Sequence, residues 1–295
     1  MDQAIVSQVR RFNRIVTQRV GALDDHFLSR DRPLGEARLL WEIGANGSAD
    51  VRALRARLDL DSGYLSRLLR SLERDGLVRV DPGDRDRRVR VARLTRAGLK
   101  ERAALDRSSD ELAKSLLEPL NGAQRERLVV AMGDVERLLT ATLVHVEEID
   151  PEHPHARYCL REYAAELDRR FPGGFDHAQS NAPDVSVFRP PNGLMLVATL
   201  QSEPVGCGAL ILHEGEPPYI KRMWVAEPAR GLGIGRRLLA ELEARAAATG
   251  SPTVHLETNG TLTEAIAMYR SAGYVEVEPF NDEPYAHHWF EKRLA

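Results

Sequence analysis

The stretch RGLGIGRRLL, residues 230–239, restricts the fold more than any other part of the chain. Glycine occupies every second position, at Gly231, Gly233 and Gly235, and residues that favour a helix follow at once. The apolar run YIKRMWV precedes the loop at 219–225, so the local order is strand, glycine turn and helix. Bare backbone N–H groups at a helix N-terminus favour an anion, because the positive end of the helix dipole lies there. The loop therefore predicts a bound phosphate or pyrophosphate.

Two other kinds of phosphate-binding loop fit these residues badly. A Walker loop requires Gly-Lys followed by Ser or Thr, whereas Arg236 follows Gly235 here. A dinucleotide-binding loop requires GxGxxG after the first strand of a parallel sheet, whereas this loop reads GxGxG and continues with Arg236 and Arg237. A glycine-rich turn without any ligand is the remaining alternative.

Length and composition exclude several classes of protein. A chain of 295 residues has room for about two domains, and 43% hydrophobic with 29% charged residues is ordinary for a globular protein. No apolar run approaches the roughly 20 residues that span a bilayer, and no signal-peptide pattern is visible. We therefore expect a cytoplasmic protein without a membrane partner. Cys159 and Cys207 lie far apart and outside any CxxC pattern, which predicts neither a disulfide nor a metal site.

Two different patterns divide the chain. Up to about residue 148 the sequence has a helical period, apart from one arginine-rich hairpin. The proline- and acid-rich segment EIDPEHPH follows, so we place the domain limit at Asp150 and predict domains 1–150 and 151–295. The second domain reads as a helix, antiparallel strands and then β-α-β-α-β, which indicates an α/β (α+β) fold with a mixed central sheet. Its strands are predicted at 185–188, 194–200, 204–213, 219–225, 253–258, 274–279 and 286–293.

The segment 49–75 holds two short helices joined by a tight connection, the pattern of a helix-turn-helix. Ser48 is the expected N-cap of the first helix, and Asp61 or Ser62 that of the second. Four leucines form one stripe of the second helix, and hydroxyl and arginine side chains occupy its other side. Such a helix suits the major groove of DNA, although an ordinary amphipathic surface helix is the alternative. The residues predicted to contact DNA are Ser62, Tyr64, Arg67 and Arg70.

The arginine-rich hairpin reads LVRV, then DPGDRD, then RVRVARLT. By itself, such a charge run is typical of a solvated face. Together, GYLSRLLRSLERDGLV and DRDRRVRVARLTRAG resemble the winged helix-turn-helix of MarR-type transcriptional regulators over roughly residues 30–140. The resemblance implies a homodimer on a double-stranded DNA operator, with Arg67 on bases and Arg87 or Arg88 in a minor groove. A domain that survives only as a dimerisation scaffold is the alternative.

The glycine loop and two later motifs carry a second resemblance. HLETN predicts a strand that ends in Asn259, and EAIAMYRSAGYVEV predicts a helix that contains Tyr269. With the RxxGxG loop, this order resembles the core of GNAT N-acetyltransferases over about residues 195–293. The resemblance implies acetyl-CoA as co-substrate, without a metal. The residues that it implies for acetyl-CoA binding are Met223, Val225, Arg230, Gly231, Gly233, Gly235, Arg236 and Asn259.

The same resemblance implies that Tyr269 protonates the leaving thiolate, since a phenol of pKa ~10 suits a thiolate of pKa ~8.5. A core tyrosine is the alternative. The attacking amine must be neutral, so a carboxylate or imidazole should accept its proton. We rank Glu257 first, because it lies on the strand expected to flank the acetyl group. The other candidates are Glu203, His213, Glu214, Glu216 and His255.

The sequence as a whole predicts a multidomain protein, with an N-terminal mainly α winged helix-turn-helix and a C-terminal α/β GNAT fold. We expect it to be bifunctional: a DNA-binding transcriptional regulator and an acetyl-CoA-dependent N-acetyltransferase for an amine, either a small molecule or a protein lysine. The alternative is a ligand-responsive transcription factor whose GNAT domain senses acetyl-CoA or another metabolite without turnover. The complete glycine loop and Tyr269 favour an active enzyme over a sensor without turnover.

Overall fold

A computed structural model of the chain forms two compact units, Met1–Ala131 and Met132–Ala295. None of its described helices combines the length and the apolar character that crossing a bilayer requires. The structure describes residues 2–22, 27–29, 32–45, 47–83, 87–176, 180 and 184–294.

The first unit contains a winged helix-turn-helix. Its three short strands form an antiparallel sheet in the order β1-β3-β2, and a further helix, α6 (Gly122–Ala141), contains the limit between the two units. The preceding elements are α1 (Gln3–Arg19), α2 (Leu34–Ala45), β1 (Ser48–Asp50), α3 (Val51–Leu58), α4 (Ser62–Arg74), β2 (Val78–Pro82), β3 (Arg90–Leu94) and α5 (Arg96–Leu117).

Aspartate caps fix the two helices of the helix-turn-helix. The Asp61 carboxylate accepts the N–H groups of Gly63 at 2.8 Å and Tyr64 at 2.9 Å, so α4 begins where the sequence predicts. The predicted cap Ser48 is wrong, because residues 48–50 pair with β3 as a strand and Asp50 caps α3 instead. The leucine stripe of α4 is buried in a core shared with α2.

The second unit is built on a seven-stranded mixed sheet in the order β4-β5-β6-β7-β8-β10-β9. Strands β7 and β8 pair in parallel, and the other recorded pairs are antiparallel. The elements are β4 (Val144–Glu148), α7 (Pro154–Arg170), β5 (Gly193–Leu200), β6 (Glu203–Ile211), β7 (Tyr219–Val225), α8 (Ile234–Ala248), β8 (Thr253–Thr258), α9 (Thr263–Ser271), β9 (Val275–Val277) and β10 (His288–Arg293).

Both faces of this sheet are covered. Met195 and Val197 of β5 belong to a core cluster with residues of α7, whereas Leu196 and Ala198 belong to another with residues of α8 and α9. Alternate side chains of a strand point to opposite faces, so α7 packs on one face and α8 and α9 pack on the other. The predicted α/β fold with a mixed central sheet is confirmed.

Two predicted elements differ from the structure. Residues 144–148, predicted as the end of a helix, form β4, which pairs with β5 along its whole length. The predicted strand at 185–188 is a 3₁₀ turn, since the Asp184 carboxylate accepts the N–H of Ser186 at 2.8 Å. The compact units divide within α6, and β4 already belongs to the second; the domain limits 1–150 and 151–295 stay a prediction.

Candidate active site and DNA-binding surface

Three glycines shape the loop between β7 and α8, for two different reasons. Gly231 and Gly233 have φ angles of 82° and 78°, in the left-handed region that side chains disfavour. At Gly235, in the first turn of α8, space is short: a Cβ atom there would lie 3.1 Å from the Met268 sulfur, which would have to shift. Gly233 is also the N-cap of α8, and a Cβ atom on it would meet open space. The loop thus presents bare amides at the start of a helix.

A cavity of about 530 Å³ opens beside this loop. Pairing of β7 with β8 is confined to Tyr219 opposite His255 within the described strands, so the two diverge toward Val225 and leave a cleft. The lining residues that bear on the site are Met223, Val225, Arg230, Gly231, Gly233, Gly235, Arg236 and Tyr269. A cleft that ends in helix N-terminal amides suits a ligand with an anionic group at one end.

Arg230 connects the loop to α7. Its Nη2 lies 2.6 Å from a carboxylate oxygen of Glu166, and its Nε donates to the carbonyl of Val225 at 3.1 Å. The same carboxylate accepts from the indole N–H of Trp224 at 2.9 Å and pairs with Arg170 at 3.3 Å. Arg230 therefore holds the loop in place, whereas Arg236 is exposed at the cavity.

Two phenols, one half-buried and one buried, lie where this cavity meets a smaller one of about 90 Å³. Tyr163 and Tyr269 line both cavities. Burial raises the pKa of Tyr163 to about 12. Burial, followed by the neighbouring Tyr163, raises the pKa of Tyr269 well above its ordinary value. Both phenols are therefore protonated at neutral pH, and either can donate a proton.

The smaller cavity contains a buried charge cluster. The Lys221 ammonium lies 3.0 Å from one carboxylate oxygen of Glu257 and 3.7 Å from Glu283. Burial and the charge of Glu283 raise the pKa of Glu257 to about 8. Burial lowers the pKa of Lys221. Two carboxyl groups share one ammonium here, so a proton on one of them is favoured, and Glu257 retains it near neutral pH.

An aromatic wall closes the other side of the smaller cavity. The rings of Phe171 and Tyr285 stack with centroids 5.6 Å apart, and Phe175 lies 5.0 Å from Tyr285. Asn259 also lines this cavity, but its amide is engaged: Nδ2 donates to the carbonyl of Tyr285 at 2.7 Å, and Oδ1 accepts the N–H of Thr261 at 2.9 Å. Asn259 thereby fixes the end of β8 against the last loop.

The other candidate bases lie elsewhere. Glu203 is exposed at the start of β6, and His213, Glu214 and Glu216 are exposed in the segment that follows β6. His255 is bound to Glu291 at 2.9 Å and stacks on Phe280. Among the described residues no group of three or more His, Cys, Asp or Glu side chains is arranged to hold a metal ion.

The first unit presents a separate polar surface on α4. Ser62, Tyr64, Arg67 and Arg70 are exposed, opposite the buried leucine stripe. The Arg67 guanidinium lies 5.6 Å above the Tyr64 ring, and the Arg70 Nε donates to the carbonyl of Ser66 at 3.1 Å. This face carries hydroxyl and guanidinium donors, the groups that bond base edges and phosphates.

The wing follows α4 as the hairpin of β2 and β3. Arg87 and Arg88 are exposed beside its turn, and Arg85 lies outside the described residues. Thr95 ties the base of the wing, because its hydroxyl donates to the carbonyl of Gly76 at 2.7 Å and accepts the N–H of Gly98 at 3.1 Å.

Comparison with known proteins decides the family. Residues 191–276 match the family model described as Acetyltransferase (GNAT) domain. The IAA acetyltransferase of Azospirillum brasilense is 40% identical over 117 residues, which are 39% of this chain and 76% of that protein. The chain belongs to the GNAT acetyltransferase family. It is accordingly an N-acetyltransferase, and its co-substrate is acetyl-CoA.

This GNAT protein carries a second family match in its first unit. Residues 31–88 match the model of the MarR family. The HTH-type transcriptional repressor IacR of Pseudomonas putida is 26% identical over 91 residues, covering 31% of this chain and 54% of the repressor. The chain thus joins a MarR-type winged helix to a GNAT domain. A crystal structure of a mutant MarR from E. coli with operator DNA is 22% identical, covers 46% of this chain and 99% of that one, and has a TM-score of 0.39.

The GNAT unit brings most of the predicted site residues together. Seven of the eight residues predicted for acetyl-CoA line the large cavity, and the eighth, Asn259, lines the smaller one. Glu257 and Tyr269 also line the smaller cavity. Their individual roles stay predictions.

Sequence reasoning missed Tyr163, Glu166 and Lys221. Tyr163 and Glu166 lie on α7, whose residues read as an ordinary amphipathic helix. Lys221 is one charge in the strand YIKRMWV. No motif marks them, because only the folded sheet brings α7 and β7 beside Glu257.

Proposed function

We propose that this protein is a DNA-binding transcriptional regulator that is also an active acetyltransferase for an amine acceptor. The observation that carries the proposal is the position of Tyr269, which lines both the cavity beside the glycine loop and the smaller cavity with Glu257. A proton donor and a proton acceptor then lie on either side of one reaction centre. The 40% identical relative is itself named an acetyltransferase, which supports the reaction class.

The large cavity suits acetyl-CoA. Acetyl-CoA supplies an acetyl group on a thioester, and its pyrophosphate is the anion that the glycine loop favours. The amides around Gly231, Gly233 and Gly235 bind the pyrophosphate, with the exposed Arg236 as countercharge. The backbone of Met223 and Val225 borders the cleft where β8 diverges, so it can hydrogen-bond an extended ligand as an added strand would. Arg230 positions the loop through Glu166 and Val225.

The chemistry follows from the two proton-carrying side chains. The amine nitrogen attacks the thioester carbonyl carbon, so a C–N bond forms and the C–S bond breaks. Glu257, once deprotonated, takes one proton from the amine, directly or through water. Tyr269 gives its proton to the leaving sulfur, and the proton on Glu257 replaces it through solvent. The products are an amide and free CoA.

The first unit supplies the regulatory half of the proposal. Arg67, with Ser62, Tyr64 and Arg70, contacts the major groove of an operator, and Arg87 or Arg88 enters the adjoining minor groove or binds its phosphates. An Arg side chain in a narrow minor groove is favoured by the negative potential there.

A homodimer is part of the proposal. Five apolar side chains of α1 are 37–58% exposed, far more than a monomeric helix leaves in water: Ile5, Val9, Phe12, Ile15 and Val16. We expect sedimentation to give the mass of a dimer at micromolar concentrations. Phe12→Asp should shift the protein toward the monomer, while Arg11→Asp, on the exposed polar side, should not. A monomeric wild-type protein contradicts the homodimer.

Replacement of Tyr269 tests the enzymatic half. We expect Tyr269→Phe to lower the rate of thiol release from acetyl-CoA with an amine by about 100-fold or more, because the proton donor is lost. Tyr274→Phe is the matched control. The Tyr274 ring is also buried, and its centroid lies 5.9 Å from that of Tyr269, but Tyr274 lines neither cavity. An unchanged rate in Tyr269→Phe means that the acid is misassigned. Tight acetyl-CoA binding without turnover of any amine favours the alternative, a regulator that only senses the metabolite.

A further inference from the structure

We propose that the acceptor of this site is an amino acid with an apolar side chain, and that Arg222 binds its carboxylate. The inference rests on the proposed acetyltransferase function and adds the chemical class of the acceptor. It starts from a positive charge in the smaller cavity with which no described residue forms an ion pair.

Arg222 lines the smaller cavity and is 8% exposed. Its guanidinium makes no ion pair or hydrogen bond with any described residue, and its Nε atom is buried without a partner. The one recorded contact of the group is with the face of Tyr163, whose ring centroid lies 5.5 Å away. Ser180 lines the same cavity, and the flanking residues 177–179 and 181–183 include no Asp or Glu.

A guanidinium is permanently charged, so its burial is costly unless an anion pairs with it. The nearby carboxylates do not fill that place, because the Lys221 ammonium lies against both Glu257 and Glu283. A ligand that carries an anion can fill that place. A planar guanidinium matches a carboxylate in particular, since two parallel N–H···O bonds can form.

A bulge in the backbone of β7 places Arg222 at this cavity. Cys207 of β6 pairs with Trp224 and Ala209 pairs with Lys221, so residues 222–223 together oppose Gly208. This bulge gives Arg222 a φ of 58°, which a non-glycine residue rarely adopts within a strand. Because of it, Lys221 and Arg222 both line the cavity, although neighbouring residues of a regular strand point to opposite faces. Strain of this kind is typical of functional sites.

The rest of the cavity matches the other parts of an amino acid. One carboxylate oxygen of Glu257 is buried without a hydrogen-bond partner, so it can receive the amine. Phe171, Phe175 and Tyr285 offer an apolar wall to a side chain. A cation, a proton acceptor and an apolar wall thus line one cavity of about 90 Å³.

Matched pairs of amines test the inference on the full-length protein. With saturating acetyl-CoA, thiol release is measured for leucine against isoamylamine and for phenylalanine against phenethylamine, each pair differing only in the carboxylate. We expect kcat/KM to be about 30-fold or more higher for the amino acids, and Arg222→Met to abolish this preference, the loss typical of truncating one partner of a buried charge pair. Calorimetry on the CoA-bound protein measures binding of the same compounds independently of turnover.

Several controls separate a ligand contact from a fold defect. Arg222→Met should bind acetyl-CoA normally and melt at no lower temperature than the wild type, because it removes a buried unpaired charge. Arg222→Lys should retain little of the preference for amino acids, since an ammonium lacks the planar array of N–H donors of a guanidinium. Arg293→Met, an exposed residue of β10, should behave as wild type.

The outcomes distinguish the two proposals. Three results overturn the inference alone, provided that acetyl-CoA binds. They are a preference for the amines without a carboxylate, equal losses of kcat/KM for both classes in Arg222→Met, and no binding of either amino acid. Failure of the wild type to bind acetyl-CoA overturns the proposed function, and the inference with it.

Discussion

At the scale of single residues, the charge state of Glu257 controls the chemistry that we propose. Its pKa of about 8 results first from burial and then from the negative charge of Glu283, while a hydrogen bond with Asn281 acts against the rise. A base must be deprotonated to accept a proton from the amine. Because the pKa is raised, Glu257 is mostly protonated at pH 6 and mostly ionised above pH 8.

The first prediction is a pH profile. The acetyl-transfer rate of the wild type should rise with pH through about 8 and level off above it, following the ionisation of Glu257. Glu257→Gln should lower the rate by about 100-fold or more and remove that limb of the profile, because no ionisable base remains. Glu203→Gln, at an exposed position at the start of β6, is the control and should keep the wild-type profile. If Glu257→Gln keeps the same rise in rate with pH, another group, or the amine itself, sets the pH dependence.

The sequence indicates Glu257 and Tyr269 because they stand in recognisable strand and helix motifs. Arg222 could not be predicted in the same way. A regular strand would direct Lys221 and Arg222 to opposite faces, and the bulge that brings both to one cavity depends on pairing with β6. Asn259 lies where the motif predicts, yet its amide bonds Tyr285 and Thr261, which no local pattern reveals.

At the scale of elements, strongly patterned segments were predictable and weakly patterned ones were not. Strands β7 and β8 occupy the predicted residues 219–225 and 253–258, because β-branched and apolar residues dominate both. Strand β4 was missed, since VHVEE continues a helical composition and becomes a strand through its pairing with β5. The wing was predictable from its turn residues and arginines.

Helix α4 and the wing carry the second prediction. On an operator selected from random DNA with the purified protein, Arg67→Ala together with Arg88→Ala should weaken specific binding by about 10-fold or more, since one good base contact is worth about 1–3 kcal/mol. Fluorescence anisotropy at fixed salt measures the affinity. Arg157→Ala, an exposed arginine of α7, should change nothing. Unchanged affinity in the double variant would rule out this groove assignment.

At the scale of the whole molecule, a MarR-like unit and a GNAT unit are joined in one chain. The motifs of each family lie within one unit, so both could be predicted from the sequence without knowledge of the fold. The proposed acceptor site could not be predicted, because the smaller cavity combines α7, β7, β8 and the loop before β10, which come together only in the folded sheet. The same reason explains why Tyr163 and Glu166 carry no sequence signal.

The central claim is that the glycine loop binds acetyl-CoA, and calorimetry of the full-length protein tests it most directly. We expect acetyl-CoA to bind with a Kd on the order of micromolar. Gly233→Glu should abolish binding, because it adds a negative side chain at a left-handed position of the loop. Gly250→Glu is the matched control. Like Gly233, whose φ is 78°, Gly250 has a left-handed φ, of 82°, and open space around its Cβ position, but it lies beyond the other end of α8. Binding that is lost only in Gly233→Glu supports the account. No binding to the wild type, or equal losses in both variants, contradicts it.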